Sequence, residues 1–161
     1  MTPSTFSLPA EWHPSRAVII AWPHAGTDWA PILNDVRATY AHLLCELSKL
    51  TDVIVLSHEP IGEDYILPAT RRDRIRVVDY LTNDTWVRDY GPVTLLPSSP
   101  EGRPLHLDFC FNGWGMKFAA CRDNLATTHL AACGLLDGDV ANNRDLVLEG
   151  GSIDSDGCGT V

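Results

Sequence analysis

Between two apolar runs of the sequence lies the stretch Asn83-Asp84-Thr85-Trp86-Val87-Arg88-Asp89-Tyr90-Gly91-Pro92. It places two carboxylates, an arginine and a tryptophan in one short segment. The flanking runs, 75–80 and 93–96, are typical of buried strands. A polar segment between such strands is either a solvated loop or a site at strand ends where side chains meet a ligand. The stretch alone leaves both interpretations open.

Size and charge limit the classes to which the protein can belong. Its 161 residues, 45% of them hydrophobic, are enough for one domain with a core. A net charge of -9 argues against a nucleic-acid partner. No apolar run reaches the ~18 residues of a membrane helix, and the first residues lack the basic-then-apolar pattern of a signal peptide. We therefore expect a cytoplasmic protein with no membrane partner.

The cysteines and histidines do not form a recognisable metal or disulfide pattern. The odd number of cysteines, five, and the lack of a C-x-x-C pair predict reduced, mostly buried thiols. No H-x-x-x-H or H-E-x-x-H spacing occurs. The segment Asp154-Ser155-Asp156-Gly157 resembles half of a calcium loop but lacks the other ligands, so it is interpreted as a turn. No metal and no cofactor are predicted.

The first half of the chain predicts a parallel β-α-β unit. Apolar residues form continuous runs at 16–22 and 53–56, as in strands buried on both faces. Between them, apolar residues recur at helical spacing over 30–50, and Asp28 could cap that helix. The residues expected on its buried side are Ile32, Leu33, Val36, Tyr40, Leu43, Leu44, Leu47 and Leu50.

The second half predicts further strands and one helix, giving an α/β fold. A cluster of turn residues at 97–104 predicts a hairpin from 93–96 into 105–109. A glycine-rich turn at 111–115 surrounds a tryptophan, and 121–133 should be helical with Leu125 and Leu130 buried. A strand at 146–148 runs into a Glu-Gly-Gly-Ser turn. The last three residues also have strand character.

Three polar groups follow predicted strands and could form one cation site. Asp84 and Asp89 flank Trp86, Trp114 lies in the glycine-rich turn, and Glu149 begins the Glu-Gly-Gly-Ser turn. A carboxylate accepts two parallel N–H bonds from a guanidinium, and an indole face attracts its charge.

Each of these residues also has an ordinary structural interpretation. Asp84 could brace its own turn, both tryptophans could belong to the core, and Glu149 could pair with an arginine. Arg88 could hold one of the carboxylates or bind a carboxylate of a substrate. The two aspartates could also serve as the acid–base pair of a hydrolase.

Several motifs together resemble the agmatine deiminase family, which includes the Porphyromonas-type peptidylarginine deiminases. The resemblance covers nearly the whole chain, in order and with suitable spacing. Its motifs are Glu11-Trp12, Ala21-Trp22-Pro23-His24, the ten-residue stretch 83–92, Phe111-Asn112-Gly113-Trp114-Gly115 and Leu148-Glu149-Gly150-Gly151-Ser152.

The resemblance implies a fold and a reaction. The fold is the guanidine-modifying (pentein) ring of five ββαβ modules, a pseudo-fivefold propeller with the substrate in its central channel. In the reaction a cysteine attacks the guanidinium carbon, a histidine protonates the leaving ammonia, and water hydrolyses the covalent intermediate. By motif position, Asp89 is the catalytic carboxylate that clamps the guanidinium, and Trp86 lines the pocket beside it. Asp84, Trp114 and Glu149 carry over as substrate-binding or supporting residues.

The chain departs from the family in length. Members are about twice as long, with the nucleophilic cysteine and the histidine in their second half, and Cys158 matches neither motif. We therefore expect residues 1–161 to be a single incomplete domain, roughly the first half of the ring, inactive alone.

The expected reaction of the family is hydrolysis of agmatine to N-carbamoylputrescine and ammonia, in putrescine and polyamine biosynthesis. The alternatives are a protein-arginine deiminase and a non-catalytic guanidine- or polyamine-binding module. Homo-oligomerisation of the full-length protein stays open.

Overall fold

The computed structural model describes residues 6–161. The chain divides into two compact units, Pro14–Val87 and a second unit that joins the residues up to His13 to Arg88–Val161. We call them the central unit and the terminal unit. None of the helices among residues 6–161 has the length and apolar character that a membrane crossing requires.

The central unit is a three-stranded parallel sheet with one long helix. Its strands are β2 (Ala17–Ala21), β3 (Asp52–Ser57) and β4 (Ile75–Asp79), in the order β2-β3-β4. Both pairs are parallel, which confirms the predicted β-α-β crossover. A 3₁₀ turn, Ala30–Ile32, leads into helix α1 (Leu33–Leu50) without any side-chain cap, so the prediction that Asp28 caps the helix is wrong.

The core of the central unit lies between the sheet and α1. Ile20, Leu44, Val53 and Val55 are buried there around Trp22, which meets Tyr40 and Tyr65 edge-on. The predicted apolar face of the helix is wider than the buried one. Ile32, Leu43 and Leu50 are exposed, and the small residues Ala41, Cys45 and Ser48 are buried instead.

The terminal unit contains a four-stranded mixed sheet in the order β1-β5-β6-β7. Its strands are β1 (Phe6–Ser7), β5 (Val93–Pro97), β6 (Leu105–Cys110) and β7 (Asp139–Val147). The predicted hairpin is confirmed, since β5 and β6 are antiparallel, and β7 then pairs parallel to β6 after the helix Ala126–Ala132. The chain order β5, β6, helix, β7 is therefore a ββαβ arrangement.

Strand β7 is longer than predicted and contains a bulge. Phe109 lies opposite Asn143 and Cys110 opposite Val147, so residues 144–146 leave the ladder. Within this bulge Arg144 forms an ion pair of 2.7 Å with the buried carboxylate of Asp108. A bulge re-aims the end of a strand. Here it precedes the Glu-Gly-Gly-Ser turn.

Three further expectations are wrong. Residues 159–161 do not form a strand. Leu125 is 49% exposed, although Leu130 is buried as expected. Cys121, Cys133 and Cys158 are exposed, so most of the thiols are not buried.

Candidate functional site

The carboxylate of Asp89 is held by one donor on each oxygen. The indole Nε1–H of Trp114 donates to Oδ2 at 3.1 Å, and the backbone N–H of Gly151 donates to Oδ1 at 3.1 Å. A carboxylate has about four lone-pair sites, so two of them remain for a ligand. Both protein donors are neutral groups.

The two glycines of the Glu-Gly-Gly-Ser turn pack directly on the segment that contains Asp89. A Cβ at Gly150 would overlap the carbonyl oxygen of Arg88, and a Cβ at Gly151 would overlap Oδ1 of Asp89. Only glycine lets the backbone of the turn come this close to Arg88 and Asp89. The turn, Gly150–Ser152, is closed by Glu149, whose carbonyl oxygen accepts the backbone N–H of Ser152 at 2.9 Å.

Trp114 lies in a left-handed turn. All four residues of Gly113–Met116 have positive φ, with values of 63° at Gly113, 54° at Trp114, 76° at Gly115 and 64° at Met116. For an L-residue this conformation costs about 1–2 kcal/mol. Strain of this kind persists where the surroundings impose it, and it is common at functional sites.

The turn is held by backbone and side-chain hydrogen bonds. The Asn112 side-chain oxygen accepts the backbone N–H of Gly115 at 2.8 Å, and its carbonyl oxygen accepts that of Met116 at 2.7 Å. A Cβ at Gly113 would overlap the carbonyl oxygen of Phe118. The indole of Trp114 stands nearly perpendicular to the rings of Phe111 and Phe118, at 4.9 and 5.6 Å between centroids.

Arg88 forms its ion pairs and hydrogen bonds with residues other than Asp89. Its guanidinium forms two hydrogen bonds with the carboxylate of Glu11, at 3.1 and 2.6 Å, and a third with the carbonyl oxygen of Ile153 at 3.1 Å. These contacts raise the pKa of Arg88, mainly through the bond to Glu11. Arg88 therefore holds the carboxylate of Glu11 and neither of the two aspartates for which this role was predicted. Within residues 6–161 Asp89 has no ion pair.

Glu149 precedes the glycine pair and is half-buried. In the part of the chain that the structure describes, its carboxylate forms no ion pair with an arginine, so that interpretation is wrong. The end of β7 and the turn fix its backbone.

Asp84 lies in the central unit, because the boundary between the units falls after Val87. It is 9% exposed, and its Oδ1 accepts the backbone N–H of Thr85 at 2.7 Å. Burial raises the pKa of the Asp84 carboxyl. The hydrogen bond from Thr85 lowers this pKa, and the nearby charge of Asp28 raises it. One oxygen therefore braces the turn, as the structural interpretation expected.

Trp86 is half-exposed and packs against a second tryptophan of the central unit. Its ring centroid lies 6.2 Å from that of Trp29, whose indole N–H donates to Oγ1 of Thr85 at 2.9 Å. At 51% exposure Trp86 is not a core residue. The exposed part of its indole could contact a cation.

The segment 82–86, which contains Asp84 and Trp86, is a loop that the buried side chain of His24 holds in place. The backbone N–H of Gly26 donates to its Nδ1 at 3.1 Å, so Nε2 carries the proton that the carbonyl oxygen of Thr82 accepts at 3.2 Å. The ring also stands perpendicular to that of His58, at 4.9 Å between centroids. Both anchors of the loop, His24 and Trp29, come from the segment after β2.

Sequence reasoning identified Asp89 and Trp114 but missed what holds them. The contact of Gly151 with Asp89 joins residues 62 apart, and the pair of Glu11 with Arg88 joins residues 77 apart. The tilted contact between the rings of Trp29 and Trp86 was also missed. Two signals were present in the sequence, the adjacent glycines 150 and 151 and the Gly-Trp-Gly triplet.

The match to known proteins covers almost the entire chain. The model of the Porphyromonas-type peptidyl-arginine deiminase family matches residues 7–161. The chain belongs to this family. It is 30% identical over 165 residues to the agmatine deiminase of Medicago truncatula, a match that includes 96% of this chain and 43% of the relative.

Solved structures give the same assignment. A Cys-to-Ser variant of the C. jejuni agmatine deiminase with substrate bound is 28% identical, with a TM-score of 0.81 over 96% of this chain and 44% of the other. The Enterococcus faecalis agmatine deiminase is 25% identical, with a TM-score of 0.75 over 95% and 42%. The chain thus spans less than half the length of these relatives.

Proposed function

We propose that the chain supplies guanidinium-binding residues of a deiminase that hydrolyses agmatine to N-carbamoylputrescine and ammonia. The observation that carries the proposal is the Asp89 carboxylate, held by two neutral donors and, within residues 6–161, without an ion pair of its own. Two parallel N–H groups of a guanidinium match the two acceptor sites that remain. The similarity to named agmatine deiminases supports the substrate class.

In this proposal each predicted residue keeps the role implied by its motif. Asp89 clamps the guanidinium and fixes its carbon for attack. Trp86 lines the pocket, while Asp84, Trp114 and Glu149 bind or support. The two units belong to one deiminase domain of the pentein type, and the cytoplasm is the compartment we expect for it.

We further propose that residues 1–161 bind guanidinium without turning it over. The family chemistry requires a nucleophilic cysteine and a histidine, and the sequence motifs for both are not found in this chain. Cys158 lies in an exposed turn in which Oδ1 of Asp156 accepts its backbone N–H at 2.7 Å.

The first test is calorimetric titration of the chain with agmatine, with putrescine as the matched ligand that has an amine in place of the guanidinium. We expect agmatine to bind at least tenfold more tightly, because the bidentate bond needs the guanidinium. Equal affinities would contradict the proposal. An assay for released ammonia should show no turnover, and turnover that disappears in Cys158→Ala would overturn the inactive assignment.

Peptidyl-arginine is the second candidate substrate, favoured by the family whose model matches the chain. Titration with a short peptide containing an internal arginine separates the two. Tighter binding of the peptide than of agmatine would favour the protein-arginine deiminase. Binding of agmatine and putrescine alike would favour the polyamine-binding module.

A further inference from the structure

The turn Asn112–Met116 has a conformational cost that burial of Met116 does not offset. Trp114 and Met116 are L-residues in the left-handed region, with φ of 54° and 64°. Met116 is 86% exposed, so its conformation gains nothing from burial in this unit. Backbone strain at an exposed residue points to a role for the side chain that the turn presents.

The side chain that the turn presents is Trp114, and its polar atom meets Asp89. The indole N–H can only donate, and it does so along one line in the ring plane. Its Nε1 lies 3.1 Å from Oδ2 of Asp89. The ring stands perpendicular to the flanking rings of Phe111 and Phe118, whose packing limits its rotation. The direction of this donor therefore depends on the backbone of the turn.

Asn112 is the side chain that closes the turn. Its Oδ1 accepts the N–H of Gly115 at 2.8 Å, which fixes the residue after Trp114. Backbone bonds from Met116, Lys117 and Phe118 to Asn112 and Gly113 complete the turn. Among these contacts, the bond to the Asn112 side chain can be removed by a single substitution, at a residue whose own φ is negative.

We propose that the Asn112–Met116 turn orients the Asp89 carboxylate, with Asn112 as the positioning residue that locks the turn. The indole N–H occupies one acceptor site on Oδ2 and the N–H of Gly151 one on Oδ1, so the carboxylate plane is fixed before a ligand arrives. The two sites left are those that a planar, bidentate cation requires. The identity of this ligand rests on the proposed function.

The structure offers matched variants for the test. Asn112→Ala removes the acceptor, and Asn112→Asp keeps an acceptor oxygen at the same place. Gly115→Ala strains the turn through its φ of 76°, and Gly134→Ala does the same at a φ of 68° beyond the helix Ala126–Ala132. An added Cβ has no neighbour within 4 Å at either glycine, so the two changes differ only in location.

The readouts are the Trp114 indole N–H resonance and the affinity for agmatine, both measured on the full chain. The chain has five tryptophans, so the resonance that disappears in Trp114→Phe is the one to follow. Asp89→Ala shows where this resonance lies when the indole N–H has lost its acceptor. Asn112→Ala should move the resonance towards that position and weaken agmatine binding about tenfold, the size expected for one bond to a charged group. Asn112→Asp should restore both. Gly115→Ala should act like Asn112→Ala, and Gly134→Ala should change neither.

The proposal is overturned if Asn112→Ala leaves the indole resonance in place, or if Gly134→Ala weakens binding as much as Gly115→Ala. Should Asn112→Ala fail to fold, the Gly115 and Gly134 pair decides alone. Should the unaltered chain not bind agmatine, the proposed function fails, and the indole resonance still decides whether the turn orients Asp89.

Discussion

Asp84 and Asp89 lie five residues apart in the sequence and in very different surroundings. Asp89 is half-buried, and its oxygens accept one neutral donor each. Asp84 is buried, accepts the N–H of the next residue, and feels the charge of Asp28. Burial therefore opposes the charge of Asp84.

This difference shows why equal residue types in one motif do not have equal roles. A carboxylate that clamps a cation must keep free acceptor sites, and Asp89 has sites beyond those that its two donors occupy. A buried carboxylate with a raised pKa is unfavourable for folding at neutral pH, and a protein that retains it gives up stability for another purpose. Asp84 therefore fits a supporting role, and substitutions should separate the two.

The largest expected effect is on binding. Asp89→Asn should weaken agmatine binding about 100-fold, because it removes the charge and replaces an acceptor by an N–H₂ group that faces a donor. Asp84→Asn should weaken it by no more than about tenfold, since its oxygen braces a turn. Calorimetric titration of both variants checks the comparison. A greater loss in Asp84→Asn would reverse the two assignments.

The next effect tests what holds Asp89. Gly151→Ala should lower the free energy of unfolding by about 2–3 kcal/mol, because the new Cβ overlaps Oδ1 of Asp89 and forces the turn away. Gly62→Ala is the control, since its Cβ would meet only Tyr65 at an ordinary 3.7 Å. Urea unfolding measures both. Similar losses in the two variants would mean that Gly151 is not packed on Asp89.

The smallest effect concerns Asp84 and pH. Because its folded pKa is raised, the native state binds a proton more tightly than the unfolded state, and the stability this contributes is complete below the unfolded pKa near 4. It is lost as pH rises through the folded pKa. Asp84→Asn should thus raise the free energy of unfolding at pH 7 by on the order of 1 kcal/mol, with less gain at pH 4.

Asp89→Asn should have the opposite effect on stability. The N–H groups of Trp114 and Gly151 would lose a charged acceptor, so this variant should be less stable than the unaltered protein at pH 7. Thermal unfolding at pH 4 and pH 7 compares the two variants. Destabilisation by Asp84→Asn at pH 7 would show that its hydrogen bond outweighs the cost of burying its charge.

The sequence predicted the elements where a single period dominates. Helix α1 and strands β2, β3 and β4 follow from helical spacing and from apolar runs, and their parallel order follows from the crossover. Strand β7 was mostly missed, because Asp139, Asn142 and Asn143 hide its pattern and a bulge interrupts its register. Which residues of α1 are buried depends on what the sheet covers, and Leu50 lies beyond it at 81% exposure.

The sequence indicated which residues belong to the candidate site, but it did not indicate which residues contact one another there. The density of polar groups indicated Asp89 and Trp114, and the motif indicated their chemistry. The hydrogen bonds of Asp89 with Trp114 and Gly151 join distant segments. The left-handed turn is closed by Asn112 and has no room for a side chain at Gly113. Such information lies in the tertiary structure. A local pattern of glycines indicates a turn and leaves its hand undetermined.

The left-handed turn has a stereochemical consequence. Gly113–Met116 follows the backbone path that D-residues take without strain, and two of its four residues, Trp114 and Met116, are L-residues. A semisynthetic chain with D-alanine at position 115 would therefore favour the turn where L-alanine opposes it. The same methyl group, added with opposite chirality, should move the stability of the turn in opposite directions. Apart from glycine, a D-amino acid is the residue that fits the backbone conformation of position 115 without strain.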